Sequence, residues 1–199
     1  MCIKVSKITE YKTSYIQRKQ TEVMVLSTKK TSTMTFRIDD DVLSKLRLES
    51  EHRETSLNTF VNHIFKRYVE WDMYEAKVGM VPIAKPIIVE LFGKMTRDQV
   101  IDMANRIGKN VVRDTALFMQ GDISLDSFIS WFEARMRASS IEINHNIKNN
   151  VHTFIIKHDL GENWSLYHTT VLELIFREVL EKKVDFDYNT GMMSFKFTE

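Results

Sequence analysis

The chain has 199 residues, of which 43% are hydrophobic and 28% charged, with a net charge of +1, and these values are typical of a soluble globular protein. Its single cysteine, Cys2, excludes an intrachain disulfide and a thiolate metal cluster within one chain. No apolar run is long enough to span a membrane, and the N-terminus lacks the apolar core of a signal peptide, so we expect a cytoplasmic protein without a membrane partner.

Positive charge is concentrated in the first third of the chain. Residues 1–71 contain thirteen Lys and Arg against nine Asp and Glu, a net of +4, whereas the remainder carries fifteen against eighteen, a net of −3. The excess is densest in residues 1–31, which include Lys29 and Lys30 just before the predicted strand at residues 33–38. This segment is interpreted either as a basic arm that follows a phosphate backbone or as a poorly ordered tail.

A short strand is predicted at residues 33–38. Its residues alternate between two faces, one carrying Met34, Phe36 and Ile38 and the other carrying Thr33, Thr35 and Arg37. A lone strand of this length exposes unpaired backbone groups and has no sheet to complete. The simplest partner is the same strand of a second copy, paired antiparallel about a two-fold axis.

Two amphipathic helices are predicted directly after this strand. Asp39 to Asp41 supply the acidic first turn of the first helix, and Ser56 is predicted to cap the second. The second helix has apolar residues at three- and four-residue spacing: Leu57, Phe60, Val61, Ile64, Phe65, Tyr68 and Trp71. So few residues cannot bury this stripe within one chain, which again predicts a homodimer.

This order of strand, acidic entry, helix, polar turn and apolar helix resembles the ribbon-helix-helix DNA-binding domain of the Arc, MetJ and CopG repressors. The resemblance covers residues 32–71. It implies that Thr33, Thr35 and Arg37 read DNA bases and that Met34, Phe36 and Ile38 form the dimer core. It also implies phosphate binding by Ser56, Leu57 and Asn58. Lys29 and Lys30 are predicted as further phosphate contacts because they adjoin the ribbon. The family usually has Gly in the turn between the helices, where this chain has Glu54.

The larger C-terminal part is predicted to be a separate domain. The N-terminal domain is assigned to residues 32–78, a connector containing Pro82 and Pro86 to residues 79–86, and the C-terminal domain to residues 87–199. Helices are predicted to begin at Pro86, after Thr96 and from Ser124. The second of these is expected to direct six residues inward: Val100, Ile101, Ala104, Ile107, Val111 and Val112.

The hydrophobic period changes after residue 140. Alternating residues predict strands near 141–147 and 151–155, and helical spacing returns from Trp164 to Leu180. Two final strands, 184–188 and 192–197, flank a hairpin signal at residues 189–191. We therefore predict an α+β chain whose C-terminal helices cover one face of a small, largely antiparallel sheet.

Chemical sites are weakly indicated. Four histidines lie near the predicted sheet, and alternation places His152 and His158 on one strand face, which makes them weak candidates for zinc or nickel ligands. His158, Asp159 and Ser165 lack the nucleophile elbow and oxyanion donors of a hydrolase, and no glycine-rich phosphate loop occurs. We expect neither catalysis nor a cofactor.

The combined prediction is a homodimeric, sequence-specific transcriptional regulator that places a two-stranded ribbon in the major groove of double-stranded DNA. Such a protein would associate with the nucleoid. Its C-terminal domain is assigned to oligomerisation, with a tetramer as one outcome, or to sensing a small-molecule or protein effector. Two alternatives remain: the antitoxin of a toxin–antitoxin pair, and a structural interaction module in which the strand pair only dimerises the chain.

Overall fold

The computed structural model describes residues 31–199, so Lys29 and Lys30 lie outside the described residues. The chain divides into two compact units between Phe65 and Lys66. The described part of the first unit contains α1 (Asp40–His52) and most of α2 (Leu57–Arg67).

The second unit begins near the end of α2 and holds all the remaining elements. From α2 the backbone continues through a π-helical turn (Tyr68–Asp72) into the short α3 (Met73–Glu75). The other helices are α4 (Lys85–Gly93), α5 (Arg97–Met103), α6 (Lys109–Gln120), α7 (Leu125–Ala138) and α8 (Glu162–Glu178). Trp71, predicted as part of the N-terminal apolar stripe, is buried in this second unit with its ring 6.4 Å from that of Trp131.

Most of the predicted helix boundaries are confirmed. Pro86 lies in the first turn of α4. Thr96 and Gln99 form a reciprocal capping box at the start of α5, in which the Thr96 hydroxyl accepts from the Gln99 amide at 3.3 Å. Ser124 caps α7 by accepting from the amide of Ser127, and Gly121 ends α6 with a φ of +84°.

The helix that follows Thr96 differs from the prediction at its centre. A π-helical turn (Ala104–Gly108) joins α5 to α6, and the wider turn shifts the inward face by about one residue. The buried positions therefore recur at intervals of four: Val100, Ala104, Gly108 and Val112. The prediction that Ile107 and Val111 face inward is wrong, since they are 47% and 58% exposed.

The predicted antiparallel sheet is confirmed. It contains β1 (Glu142–Lys148), β2 (Val151–Lys157), β3 (Asp185–Tyr188) and β4 (Met192–Thr198) in the order β1-β2-β4-β3, with every neighbouring pair antiparallel. A two-residue turn joins β1 to β2, and both of its residues, Asn149 and Asn150, have positive φ of 52° and 61°. Positive φ at both positions is the signature of a type I′ hairpin turn.

Helices α7 and α8 cover one face of this sheet and form the core with it. The ring of Phe132 packs on those of Phe154 and Phe195, and Phe176 packs on Phe128 and Phe195. The second unit is therefore an α+β structure with helices on one side of an antiparallel sheet, as predicted.

The start of α8 corrects one prediction. Neither Asn163 nor Ser165 caps this helix; it begins after Gly161, which has a φ of +89° and provides no side chain. The side-chain amide of Asn163 instead donates to the carbonyl oxygens of Phe92 and Met95, each at 2.8 Å, and so anchors the C-terminal end of α4.

Candidate functional site

The predicted ribbon segment is extended and open in the single chain. Residues 31–39 form no strand pairing, and every one of them is exposed, including Thr33, Thr35 and Arg37. The backbone hydrogen bonds of the predicted strand pair would join two copies of the chain, so a single chain cannot contain them. The two-stranded ribbon therefore stays a prediction.

The side chains predicted to form the dimer core are largely exposed to solvent in a single chain. Met34, Phe36 and Ile38 are 74%, 51% and 40% exposed. The ring of Phe36 lies 5.6 Å from that of Phe65, which is itself 47% exposed. Among residues 31–65, Phe60 is the only buried hydrophobic side chain. This part of the chain thus presents an apolar surface without a core of its own.

The turn between α1 and α2 keeps the backbone form that the resemblance implies, but without glycine. Glu54 has a φ of +51°. Its amide donates to the carbonyl of Glu51 at 2.9 Å, and the amide of Thr55 donates to that of Ser50 at 3.0 Å. These two bonds define a Schellman motif with Glu54 in the left-handed position. A side chain there costs about 1 kcal/mol relative to glycine.

The N-terminus of α2 is capped as predicted. The Ser56 hydroxyl accepts from the amide of Thr59 at 3.1 Å. The backbone amides of Leu57 and Asn58 belong to the first turn, where N–H groups have no carbonyl acceptor within the helix. No acidic residue lies in this turn. The positive end of the helix dipole is therefore not neutralised by a side chain of that turn, which suits it to an anion such as a phosphate.

Arg37 has no ion-pair partner in the described part of the chain. Two other basic residues of the same unit are already paired along α1, Lys45 with Asp41 at 3.8 Å and Arg53 with Glu49 at 2.6 Å. Within residues 31–199, Arg37 thus presents an unpaired guanidinium on the polar face of the predicted ribbon strand.

The histidines are separated into distinct environments rather than gathered at one metal site. His145 donates through Nδ1 to Glu133 at 2.8 Å, and its Nε2 lies 3.1 Å from Nδ1 of His152. His152 is 5% exposed; within residues 31–199 its own Nε2 forms no hydrogen bond and lies 3.6 Å from a carboxylate oxygen of Glu199. His158 bonds instead to Leu160 and Ser165. Nowhere in residues 31–199 are three His, Cys, Asp or Glu side chains arranged to hold a metal ion.

His158 and Ser165 form a structural hydrogen-bond chain. The amide of Leu160 donates to Nδ1 of His158 at 3.2 Å, so Nε2 carries the proton of the neutral ring and donates to the Ser165 hydroxyl at 2.8 Å. That hydroxyl donates in turn to the carbonyl of Asn189, also at 2.8 Å. A nucleophilic serine needs the reverse polarity, with the imidazole accepting its proton. Asp159, which would complete a triad, pairs with Lys85 instead.

Between α7 and α8 lies a cation that has no carboxylate partner among residues 31–199, and nothing in the sequence pattern pointed to it. The guanidinium of half-buried Arg135 is 5.5 Å from the centre of the Trp131 ring, and no carboxylate pairs with it in the described chain. Burial lowers the pKa of Arg135 and raises that of Tyr167. Burial, and next the charge of Arg135, lower the pKa of His168 to about 3, so this imidazole is neutral.

No protein-family model matches the chain, and no curated protein sequence is similar to it. Among residues 31–199, no helix is both long and apolar enough to cross a membrane.

Proposed function

We propose that the chain is a homodimeric, sequence-specific DNA-binding transcriptional regulator whose N-terminal unit is a ribbon-helix-helix domain. The observation that carries this proposal is the exposed apolar set of residues 31–65, in which Met34 and Phe36 are more than half exposed. A soluble protein rarely leaves so many neighbouring apolar side chains in water unless a partner covers them. The partner that covers this surface is a second copy of the same segment. Residues 33–38 carry one apolar and one polar face, so two copies paired antiparallel would place their apolar residues on the same side of the ribbon.

In the dimer, the polar face of the strand pair carries Thr33, Thr35 and Arg37 of each chain. A two-stranded ribbon fits the major groove of B-DNA. The guanidinium of Arg37, which has no carboxylate partner among residues 31–199, suits the O6 and N7 atoms of guanine, and threonine suits a base edge or a thymine methyl group. The double-stranded site is therefore expected to have two-fold character.

The start of α2 and the basic arm supply the contacts that do not depend on sequence. The Ser56 cap leaves the first amides of α2 available for a DNA phosphate. Lys29 and Lys30 add charge next to the ribbon. These groups position the protein on the duplex, and the strand residues specify the site.

Dimerisation through the apolar face is tested by Phe36→Asp. The variant would bury an unpaired carboxylate at the centre of the pair, so the N-terminal dimer and its DNA binding should be lost. Ser44→Asp is the matched control, because it also adds a carboxylate to the N-terminal unit but at an exposed polar residue of α1. Light scattering and a gel shift measure both properties. A Phe36→Asp protein that still binds DNA as a dimer would contradict the proposal.

Base reading is tested by comparing Arg37→Ala with Lys29→Ala and Lys30→Ala. Loss of Arg37 should cost about 1–3 kcal/mol at the specific site and much less on random-sequence duplex. Loss of either lysine should weaken all sequences alike and flatten the salt dependence. Equal profiles for the arginine and lysine variants would refute the reading role. No salt-dependent binding to any duplex would favour the structural module.

A further inference from the structure

The two edges of the C-terminal sheet differ in how well they are protected from pairing with another strand. β3, at one edge, has four residues, two of which are the exposed Asp185 and Asp187. β1, at the other, has seven residues and pairs with β2 over its whole length without a bulge or proline. Short, charged strands block edge-to-edge pairing, whereas a long regular edge is a template for one more strand.

The backbone groups that β1 leaves free can be identified from the hairpin. A two-residue turn makes Lys148 and Val151 a hydrogen-bonded pair, and such pairs alternate along an antiparallel ladder. Residues 142, 144, 146 and 148 therefore bond to β2. The amides and carbonyls of Ile143, His145 and Ile147 point away from the sheet, and none of them has a backbone partner in the described chain.

The sequence of β1, EINHNIK, is nearly the same in both directions. Antiparallel pairing with a second β1 about an axis at His145 places Ile143 opposite Ile147 and Asn144 opposite Asn146. It also places Glu142 opposite Lys148. In this register Ile143, His145 and Ile147, whose backbone groups point away from β2, all form hydrogen-bonded pairs with the second strand. Side chains on one face of the first sheet continue on the same face of the second.

Charge and apolar surface are complementary in this register. Ile147 is 57% exposed in the single chain and gains an isoleucine neighbour. Lys148 has no ion pair in the described chain, and Glu142 already bonds Lys157 of β2 at 2.8 Å. The added Lys148 would extend this pair across the junction as Lys157–Glu142–Lys148, twice for each pair of chains.

We propose that β1 pairs antiparallel with β1 of a second copy about a two-fold axis at His145, which joins two four-stranded sheets into one sheet of eight strands. The interaction goes beyond DNA binding and does not depend on it. Combined with the N-terminal dimer in a closed arrangement of two-fold axes, it would make the full-length protein a tetramer with two DNA-binding units.

Charge reversal tests the register. Lys148→Glu places Glu142 opposite a second carboxylate at both ends of the strand pair, so association through β1 should weaken by roughly tenfold or more. Glu142→Lys should weaken it similarly. An equimolar mixture of the two variants should associate again, because each chain then offers the charges that the other lacks. Lys183→Glu is the control, since Lys183 is exposed and lies in the loop before β3.

The masses of the full-length variants are measured by sedimentation, both in the natural sequence and in the Phe36→Asp background that removes the proposed N-terminal dimer. In that background we expect a dimer, and a monomer once Lys148→Glu is added. Slowed amide exchange at residues 143, 145 and 147 should accompany association. If Phe36→Asp alone gave a monomer, if Lys148→Glu behaved like Lys183→Glu, or if the mixture failed to associate, the β1 pairing would be overturned. None of these results depends on whether the protein binds DNA.

Discussion

Gly108→Ala is expected to destabilise the C-terminal unit, although alanine is normally the better helix residue. Gly108 is buried in the π-helical turn where α5 meets α6. A Cβ atom at this position would lie 2.5 Å from Cγ2 of Val171 and 2.9 Å from the hydroxyl oxygen of Tyr167. Val171 is 2% exposed on α8, so its methyl group has no free space into which it can move.

The magnitude follows from two opposed effects. Alanine in place of glycine gains about 1 kcal/mol of helix propensity. Forcing a methyl group into a packed contact costs about 1–3 kcal/mol, and contacts this short place the cost in the upper part of that range. We expect a net loss of about 1–2 kcal/mol. Val171→Ala removes the closer contact, so the double variant should lose less than the sum of the two single changes.

The assay is urea unfolding followed by tryptophan fluorescence. All three tryptophans of the chain, Trp71, Trp131 and Trp164, belong to the second unit and report on it alone. Gly93→Ala is the matched control, because Gly93 is also helical and its added Cβ would meet no atom within 4 Å. If Gly108→Ala proved as stable as Gly93→Ala, the close approach of α8 to the π-helical turn would be wrong.

Three further changes test other parts of the structure. Glu54→Gly should stabilise the N-terminal unit by about 1 kcal/mol in a thermal melt followed by circular dichroism, whereas Glu54→Ala, which keeps a Cβ at positive φ, should not. The pKa of His168 is about 3 in the folded protein and about 6.5 in the unfolded chain, so the unfolded state binds more protons between these values. The free energy of unfolding should therefore fall as the pH is lowered from 6.5 towards 3, by up to about 1.4 kcal/mol per pH unit from this residue. His168→Phe should lose this part of the pH dependence. Arg135→Met should raise the free energy of unfolding by about 1–2 kcal/mol, because it removes a half-buried cation that has no carboxylate partner among residues 31–199. Equal or lower stability in urea unfolding would mean that the guanidinium is better satisfied than the geometry indicates.

Local signals in the sequence predicted much of the C-terminal fold. Thr96 with Gln99, Ser124 and Gly121 mark helix ends through their own hydrogen bonds or backbone angles, so short-range chemistry suffices to place them. The hairpin before β4 was predicted on the same basis. Asn149-Asn150 is an equally local signal for the type I′ turn, and it would have fixed the β1–β2 register in advance.

Features that depend on tertiary contact were not predictable in this way. The π-helical turn that exposes Ile107 and buries Gly108 depends on how closely α8 approaches, which no helical periodicity encodes. The roles of Asn163 and Ser165 depend on the ends of α4 and β3, which are distant in sequence. The ribbon needs a second chain, so one chain cannot contain its pairing.

The central proposal, that this chain reads a specific DNA sequence as a dimer, is tested most directly by selecting bound duplexes from a random pool with the full-length protein. We predict enrichment of a site with two-fold or directly repeated half-sites. The same selection with Arg37→Ala should lose preference at particular base pairs, whereas Ser44→Asp should enrich the same site as the natural sequence. A pool that shows no enrichment with the natural protein, at a salt concentration where binding is measurable, would contradict sequence-specific recognition.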